Sequence, residues 1–278
     1  MQPAHSQPTP FTQLPSCQNI ADAAKDLARE GAACATTLFS TIQMEGRARM
    51  GRIWHSVDGC LHIAIILRPQ VGMAYLNGLG TVCSLAVLDA LRKLGATDVL
   101  PKWPNDIMYN GNKLASIFVE AGYGEGMFAI CAIHLNVYQN SQLARHISNS
   151  FDESPRPAAP AFLADTLGKN ATKESAVTLT NEYIAAMLRD AVLARVSAWE
   201  HDIASGVAVA GPLASVLNEY YDQMELLAQQ VDAVLPDGRV VVTGMLAGMD
   251  IWGRVTLLDA DGREHEFASE QVSLRPAH

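Results

Sequence analysis

Residues 102–120 read KWPNDIMYNGNKLASIFVE, and this stretch predicts a central part of the fold. Its first five residues combine a cation, an aromatic ring, a proline and two polar side chains. Pro104 restricts the local backbone because its ring locks φ. A short Asn110-Gly111-Asn112 turn then leads to Lys113 at the start of an apolar segment. The stretch therefore predicts a polar corner joined to a β-strand.

Further elements are predicted on both sides of this corner. Apolar strands over 113–121 and 127–137 flank a glycine-rich hairpin turn, which is not a dinucleotide-binding fingerprint because no helical pattern follows it. The predicted helices cover 19–29, 79–94, 181–199 and 214–227, and the other predicted strands cover 36–43 and 61–67. Residues 99–103 are predicted to be a short strand or the entry to a loop. From about residue 230, short β-rich runs alternate with turn signals. The predicted fold class is α+β, with helices packed on a mixed β-sheet and a small all-β unit after it.

Composition excludes some classes of function. The 278 residues include 20 basic and 29 acidic side chains, a net charge of −9 that argues against a surface for nucleic-acid phosphates. Five cysteines without a C-x-x-C pair favour a reducing cytoplasm and indicate no zinc motif. We recognise no secretory signal and no run of membrane-spanning length, so no membrane partner is expected. Residues 1–15 are expected to form a flexible tail, too short for a helix-turn-helix module.

Clustered cations suggest an anion site. They lie in a glycine-flanked loop over 46–52 and around the polar corner, and they are Arg47, Arg49, Arg52, Lys102 and Lys113. A site that brings a nucleoside triphosphate against a carboxylate needs such a cluster, because two anions must be held together. Taken separately, the loop is typical of a solvated basic loop and Pro-Asn-Asp of an ordinary surface turn.

Together these motifs resemble those of the biotin protein ligases, or biotin–acetyl-CoA-carboxylase ligases. Residues 102–120 are similar to that family's KWPNDI followed by KLxxIxxE, and GRARMGRIW is similar to its GRGRxGRxW. LPSCQNIADAAKDLA, IHLNV and QVSLR resemble its S-T-N segment with the first helix, its G-x-G-x-N-V strand and its terminal V-S-L-R. The resemblance implies a class II synthetase-like biotin/lipoate ligase catalytic domain over 16–227 and a small SH3-like β-barrel over 228–278.

The resemblance also implies an activity, that of a monofunctional biotin protein ligase without a DNA-binding domain. The carboxylate of biotin would attack the α-phosphate of magnesium ATP, giving biotinyl-5′-AMP and pyrophosphate. A lysine of the biotin carboxyl carrier protein of acetyl-CoA carboxylase, or of a related carboxylase, would then take the acyl group. We expect ATP and Mg²⁺ as cofactors, no metal ligated directly by the protein, and a cytoplasmic monomer or homodimer.

Individual positions take roles from the same resemblance. The residues implied to bind biotin are Ser16, Cys17, Gln43, Arg47, Arg49, Lys113, Ser116, Ala132 and His134. The residues implied to bind ATP are Arg52, Trp54, Lys102, Asn105, Lys113, Asn136 and Arg275. The implied catalytic residues are Arg49, Lys113 and Asp106, the last by orienting or deprotonating the incoming lysine amine.

Several glycines of the family pattern are replaced in this chain. Ala48 stands at the second loop glycine, and Ser116, Ala132 and His134 stand where glycines let the strand backbone approach the ligand. Three interpretations stay open. His134 is an ordinary core histidine, or the pocket accepts a smaller or differently shaped carboxylic acid, or the protein is a degenerate, non-catalytic binder of biotin or nucleotide.

Overall fold

The computed structural model describes residues 10–51, 53–56, 59–138, 159–167 and 179–277. Within them, the strands of a first sheet are β1 Phe11–Gln13, β2 Thr37–Ser40, β3 Cys60–Leu67, β4 Val99–Lys102, β5 Asp106–Tyr109, β6 Asn112–Gly124 and β7 Gly126–Asn136. The strands of a second sheet are β8 Gln230–Val234, β9 Val240–Met249, β10 Val255–Leu258, β11 Glu264–Phe267 and β12 Ser273–Pro276. The α-helices are α1 Ile20–Arg29, α2 Leu79–Lys93, α3 Leu163–Thr166, α4 Asn181–Ala204 and α5 Leu217–Tyr221.

The first sheet is mixed, with the strand order β1-β2-β3-β7-β6-β5-β4. β1 runs parallel to β2, and the other neighbouring pairs are antiparallel. β6 and β7 form the predicted hairpin, but their pairing continues to Gly124 and Gly126, so the turn is tighter than expected. Gly126 has φ +89°, in the left-handed region that glycine adopts without strain. The predicted α+β class with its mixed sheet and all-β C-terminal unit is confirmed.

The two faces of the first sheet are covered differently. Odd-numbered positions of β3 and β7, such as Ile63 and Ile133, pack in the main core with α2 and α4. Even-numbered positions, such as Ala64 and Ile130, pack with α1. The apolar contacts of α1 account for only part of this second face. The rest of it carries polar side chains, and these form the site described below.

The predicted helices are confirmed over 19–29, 79–94 and 181–199, with small shifts of boundary. α1 begins directly after Asn19, whose side-chain oxygen accepts hydrogen bonds from two amides of the first turn. The prediction of a helix over 214–227 is wrong, because α5 has only five residues. The chain bends repeatedly after it to reach the second sheet, and Leu226 has φ +69°.

Two expectations from the sequence need correction. Residues 11–13 belong to β1 rather than to a flexible tail, since Phe11 pairs with Thr37 and its ring lies 5.0 Å from that of Phe39. Residues 1–9 lie outside the described part. Met73–Lys93 is long and apolar enough to cross a membrane by length and composition, but 67% of its most apolar window is buried inside the protein. This segment includes α2, which packs against α4 as the core helix.

The second sheet lies against the polar corner. Trp103 Nε1 donates a hydrogen bond to the Gly253 carbonyl at 2.9 Å, which joins the start of the corner to the β9–β10 turn. The amide of Glu225 donates to the Pro101 carbonyl of β4 at 2.8 Å. These contacts fix the all-β unit beside β4 and β5. The predicted domain boundary near residue 228 stays a prediction.

Candidate active site

A line of polar residues crosses the first sheet. The cross-strand partners along it are Ser40, His62, His134, Ser116, Asp106 and Lys102, one each from β2, β3, β7, β6, β5 and β4. Directly opposed residues in antiparallel strands place their side chains on the same face. We call this set the polar row. It lies on the sheet face of α1, beyond the part that α1 covers.

One end of the polar row is an ionic cluster at the β5–β6 corner. Lys113 Nζ lies 2.6 Å from Asp106 Oδ2. The Ser116 hydroxyl donates to Asp106 Oδ1 at 2.6 Å, and Asn105 Nδ2 donates to that hydroxyl at 3.1 Å. Burial alone would raise the pKa of Asp106, but Lys113, Ser116 and Lys102 hold it below its ordinary value. Asp106 is therefore a carboxylate at neutral pH, paired with a cation.

Two acidic or phenolic groups from the segment before β8 also face this cluster. Burial raises the pKa of Glu225, Lys102 lowers it, and Asp106 raises it again. Burial and the charge of Asp106 raise the pKa of Tyr220, so the phenol is neutral. The charge of Lys102 thus acts on the carboxyl groups of both Asp106 and Glu225. No signal in the sequence connects Glu225 with this cluster, because it is more than a hundred residues away in the chain.

The middle of the polar row is a pair of buried histidines. His62 Nδ1 lies 2.9 Å from His134 Nδ1, and His62 Nε2 lies 2.7 Å from the Ser56 hydroxyl. The amide of Gln43 donates to the same hydroxyl at 2.9 Å. Burial lowers the pKa of His134 to about 4, and burial together with His134 lowers the pKa of His62 well below its ordinary value. Both rings are neutral at pH 7, so each has one donor and one acceptor nitrogen.

Two buried N–H groups beside this pair have no hydrogen-bond partner among the described residues. They are Gln43 Nε2 and Trp54 Nε1. Gln43 is only 3% exposed, and its Oε1 is already used, accepting from the amide of Ile20 at 2.8 Å. The Trp54 ring stacks on His134, with centroids 5.3 Å apart. Buried polar groups are almost always satisfied in native proteins, so these donors are available to a water molecule or to a ligand that supplies acceptors.

The described arginines of the loop contact α1 and the second unit. The amide of Trp54 donates to the Gly46 carbonyl at 3.0 Å, and a side chain at position 46 would collide with the Trp54 backbone, which explains the glycine. Arg47 forms an exposed ion pair with Asp22 of α1. Arg49 donates to the Ser269 carbonyl in the second unit. Arg52 lies outside the described residues.

Some of the remaining predicted positions contact the residues described above, and others do not. Asn136 lies close to the cluster, with Nδ2 donating to the Lys113 carbonyl at 3.2 Å, and Cys17 pairs with Gln43 across an isolated bridge. Ser16 is exposed and Ala132 is buried in β7. Arg275 is not in the cluster contacts: its Nε lies 3.1 Å from Asp232 Oδ2 within the second sheet. The structure thus assembles a cluster, a histidine pair and a separate loop.

Sequence reasoning also missed His62 and Ser56. A signal for His62 was present, since it is a polar residue inside the otherwise apolar strand CLHIAIIL. Its fully buried position and its bond to His134 follow from the β3–β7 register, which the sequence pattern does not specify. Ser56 has no recognisable signal because it lies in an irregular segment.

Comparisons with known proteins agree with this arrangement. Residues 22–136 match the sequence profile of the biotin/lipoate A/B protein ligase family. This part of the chain is therefore similar to a domain of that family. It is 27% identical over 250 residues to the bifunctional ligase/repressor BirA of Escherichia coli, covering 90% of this chain and 68% of that protein. It is 40% identical over 91 residues to the biotin–[acetyl-CoA-carboxylase] ligase of Paracoccus denitrificans, covering 32% of this chain and 38% of that protein.

Solved structures show the same fold. The biotin protein ligase of Aquifex aeolicus in complex with biotin and ATP superposes with a TM-score of 0.72 at 20% identity, covering 96% of this chain and 99% of that chain. The biotin protein ligase of Leishmania major in complex with biotinyl-5-AMP gives 0.61 at 18% identity, covering 94% and 100%. The family resemblance drawn from the motifs is confirmed, and so is the catalytic-domain fold that it implied.

Proposed function

We propose that this protein is a biotin protein ligase that activates biotin with ATP and transfers it to a lysine of a carrier protein. The observation that carries the proposal is the ionic cluster of Lys113, Asp106 and Lys102 at one end of the polar row, with unsatisfied buried donors beside the histidine pair in its middle. The names of the homologous proteins, including the Paracoccus denitrificans ligase, support biotin as the acid and a carboxylase as the source of the carrier.

In the first step, cations bring two anions together. Lys113 and Lys102 would stabilise the negative charge that develops where the carboxylate of the acid meets the α-phosphate. Lys113 must break its contact with Asp106 to do so. Lys102 would then offset the negative charge of the Asp106 carboxylate, which is left without Lys113. Magnesium would arrive on the phosphates of ATP, as part of that substrate. The products are biotinyl-5′-AMP and pyrophosphate.

In the second step, a lysine amine replaces AMP. Asp106 suits the orientation of this amine better than its deprotonation, because a carboxylate with a lowered pKa is a weak base at neutral pH. Arg47 and Arg49 would leave Asp22 and the Ser269 carbonyl to cover the adenylate and exclude water. A carrier domain of acetyl-CoA carboxylase or a related enzyme in the cytoplasm is the proposed acceptor.

The test uses the purified chain with magnesium, ATP and biotin. We expect pyrophosphate release and, after addition of a biotin carboxyl carrier domain, a mass increase of that domain by one biotinyl group. A matched control omits biotin, and a second replaces the acceptor lysine of the carrier. If biotin causes neither pyrophosphate release nor labelling, the proposal fails.

A second candidate is adenylation of a different carboxylic acid by the same cations. Ser116 and His134 favour it, since both place side chains on the sheet face where the family pattern has glycine. A panel of carboxylic acids in the same pyrophosphate assay separates the two candidates. Release with another acid but not with biotin would select the second one.

A further inference from the structure

We propose that His134 is a specificity-determining residue that hydrogen-bonds the end of the acid farthest from its carboxylate, and that His62 and Ser56 position it. The inference rests on the proposed acid activation at Lys113. It adds a residue type that the family pattern does not contain at this position, where glycine is expected. It applies to a carboxylic acid with a urea or amide at its far end, such as biotin.

The distance along the polar row suits such an acid. His134 on β7 is opposite Ser116 on β6, which is opposite Asp106 on β5. Two strand spacings of about 4.8 Å place His134 about 10 Å from Asp106. Lys113 lies 2.6 Å from Asp106. An acid whose carboxylate contacts Lys113 and whose chain follows the row would therefore bring its far end to His134.

The ring of His134 is held in one orientation. It stacks on Trp54 with an interplanar angle of 28°, and Phe118 lies against it with ring centroids 5.7 Å apart. Its Nδ1 is bonded to His62. No described residue bonds its Nε2. The ring therefore presents one nitrogen for a further contact and is fixed through the other.

The hydrogen bonds also limit what Nε2 presents. The Ser56 hydroxyl accepts from the Gln43 amide and keeps one proton and one lone pair, either of which can meet His62 Nε2. If Ser56 donates, His62 donates from Nδ1 to His134 Nδ1, and neutral His134 carries its proton on Nε2. If Ser56 accepts, the protons run the other way and His134 Nε2 is an acceptor. A urea has both a carbonyl oxygen and N–H groups, so it can bond Nε2 in either arrangement.

Two buried donors in the same region also need an acceptor. Gln43 Nε2 and Trp54 Nε1 are buried without partners among the described residues, and Trp54 stacks directly on His134. Together with His134 Nε2 they match a polar end such as a urea or an amide. They do not match a hydrocarbon or dithiolane end, which would leave these groups unsatisfied. The site should thus discriminate against fatty and lipoic acids.

The variant that tests this is His134→Phe, which keeps an aromatic ring against Trp54 and removes both nitrogens. We expect the dissociation constant for biotin, measured by titration calorimetry, to rise about five- to tenfold, as expected for one hydrogen bond. The constant for octanoate, an acid without a far-end carbonyl, should change less than twofold. In the pyrophosphate assay the effect on biotin should be in KM rather than kcat. His134→Gln, which restores a donor, should recover part of the difference.

Positioning through His62 has a separate variant. His62→Phe removes both hydrogen bonds of that ring, so the ratio of biotin to octanoate affinity should fall in the same direction. His201→Phe, in the last turn of α4, is the matched control and should leave the ratio unchanged. A purely structural role would lower thermal stability and affect both acids alike.

The outcomes distinguish this inference from the proposed function. An unchanged ratio in folded His134→Phe, or tighter biotin binding in His134→Gly, overturns the inference and makes His134 a core or crowding residue. If the wild type binds biotin but releases no pyrophosphate, the ligase proposal fails while calorimetry still tests His134. If the wild type binds neither biotin nor another acid with a far-end carbonyl, the inference is refuted.

Discussion

Lys113→Met is the change that most directly tests the ionic cluster. It removes the cation from Asp106 and keeps a side chain of similar length. The Lys113 and Asp106 side chains are 26% and 16% exposed, so the pair lies between the surface and buried cases. Breaking a buried pair costs about 3–5 kcal/mol and an exposed one at most about 1 kcal/mol, which places this change at about 2 kcal/mol. The midpoint temperature of thermal unfolding should fall by roughly 5 °C.

Activity should respond far more strongly than stability. If Lys113 stabilises the transition state, the rate of pyrophosphate release should fall by about 10²- to 10³-fold in Lys113→Met. The double variant Asp106→Asn/Lys113→Met leaves no unpaired carboxylate, so its free energy of unfolding should return to within about 1 kcal/mol of the wild type. Its pyrophosphate release should stay low. Urea unfolding and the pyrophosphate assay measure the two effects independently.

The pH dependence of the loss provides a check on its cause. Because the folded pKa of Asp106 is lowered, the pair contributes fully above the ordinary aspartate pKa, and its contribution disappears as the pH falls through the folded pKa. The stability gap between wild type and Lys113→Met should therefore narrow in acid. A gap that is constant down to pH 3, or pyrophosphate release within fivefold of the wild type, would refute the assigned role of Lys113.

Three further predictions concern other parts of the molecule. Asn19→Ala removes the cap of α1 and the bond to the Glu45 carbonyl, so urea unfolding should show a loss of about 1–2 kcal/mol, whereas Asn19→Asp should retain the cap. His134→Phe should lose less stability than the wild type between pH 6.5 and about 4, since the unfolded histidine binds a proton that the buried ring rejects; parallel curves would contradict this. Arg49→Ala should release free adenylate into solution, detected chromatographically, and an unchanged reaction would make the loop a surface feature.

The local elements were predictable because their signals are local. The repeat of apolar residues over 79–94 and the Asn19 cap of α1 each lie within a few turns of chain, and the structure has helices at both places. The errors occurred where tertiary contacts override the local pattern. Residues 11–13 are few and include two polar side chains, yet they form a strand because β2 offers a free edge and Phe39 a ring to pack on.

The site was predictable in part. Lys113, Asp106 and Asn105 lie within one motif, and the structure brings them together with Ser116. The loop arginines were expected at the same place, but Arg47 and Arg49 bind Asp22 and the Ser269 carbonyl in this structure. A flexible segment has several partners of similar energy, so its sequence indicates its chemistry but not its position.

The polar row combines features that the sequence specifies with contacts that only the tertiary structure specifies. The residue types, the alternation along each strand and the family motif are all present in the linear sequence, because each depends on neighbours in the chain. The meeting of His62 with His134, and of both with Ser56 and Gln43, depends on the register between β3 and β7 and on a loop folded over them. Register is set by packing between distant segments. Tertiary structure alone therefore decided that His134, which stands where the family pattern has glycine, forms a buried pair with His62.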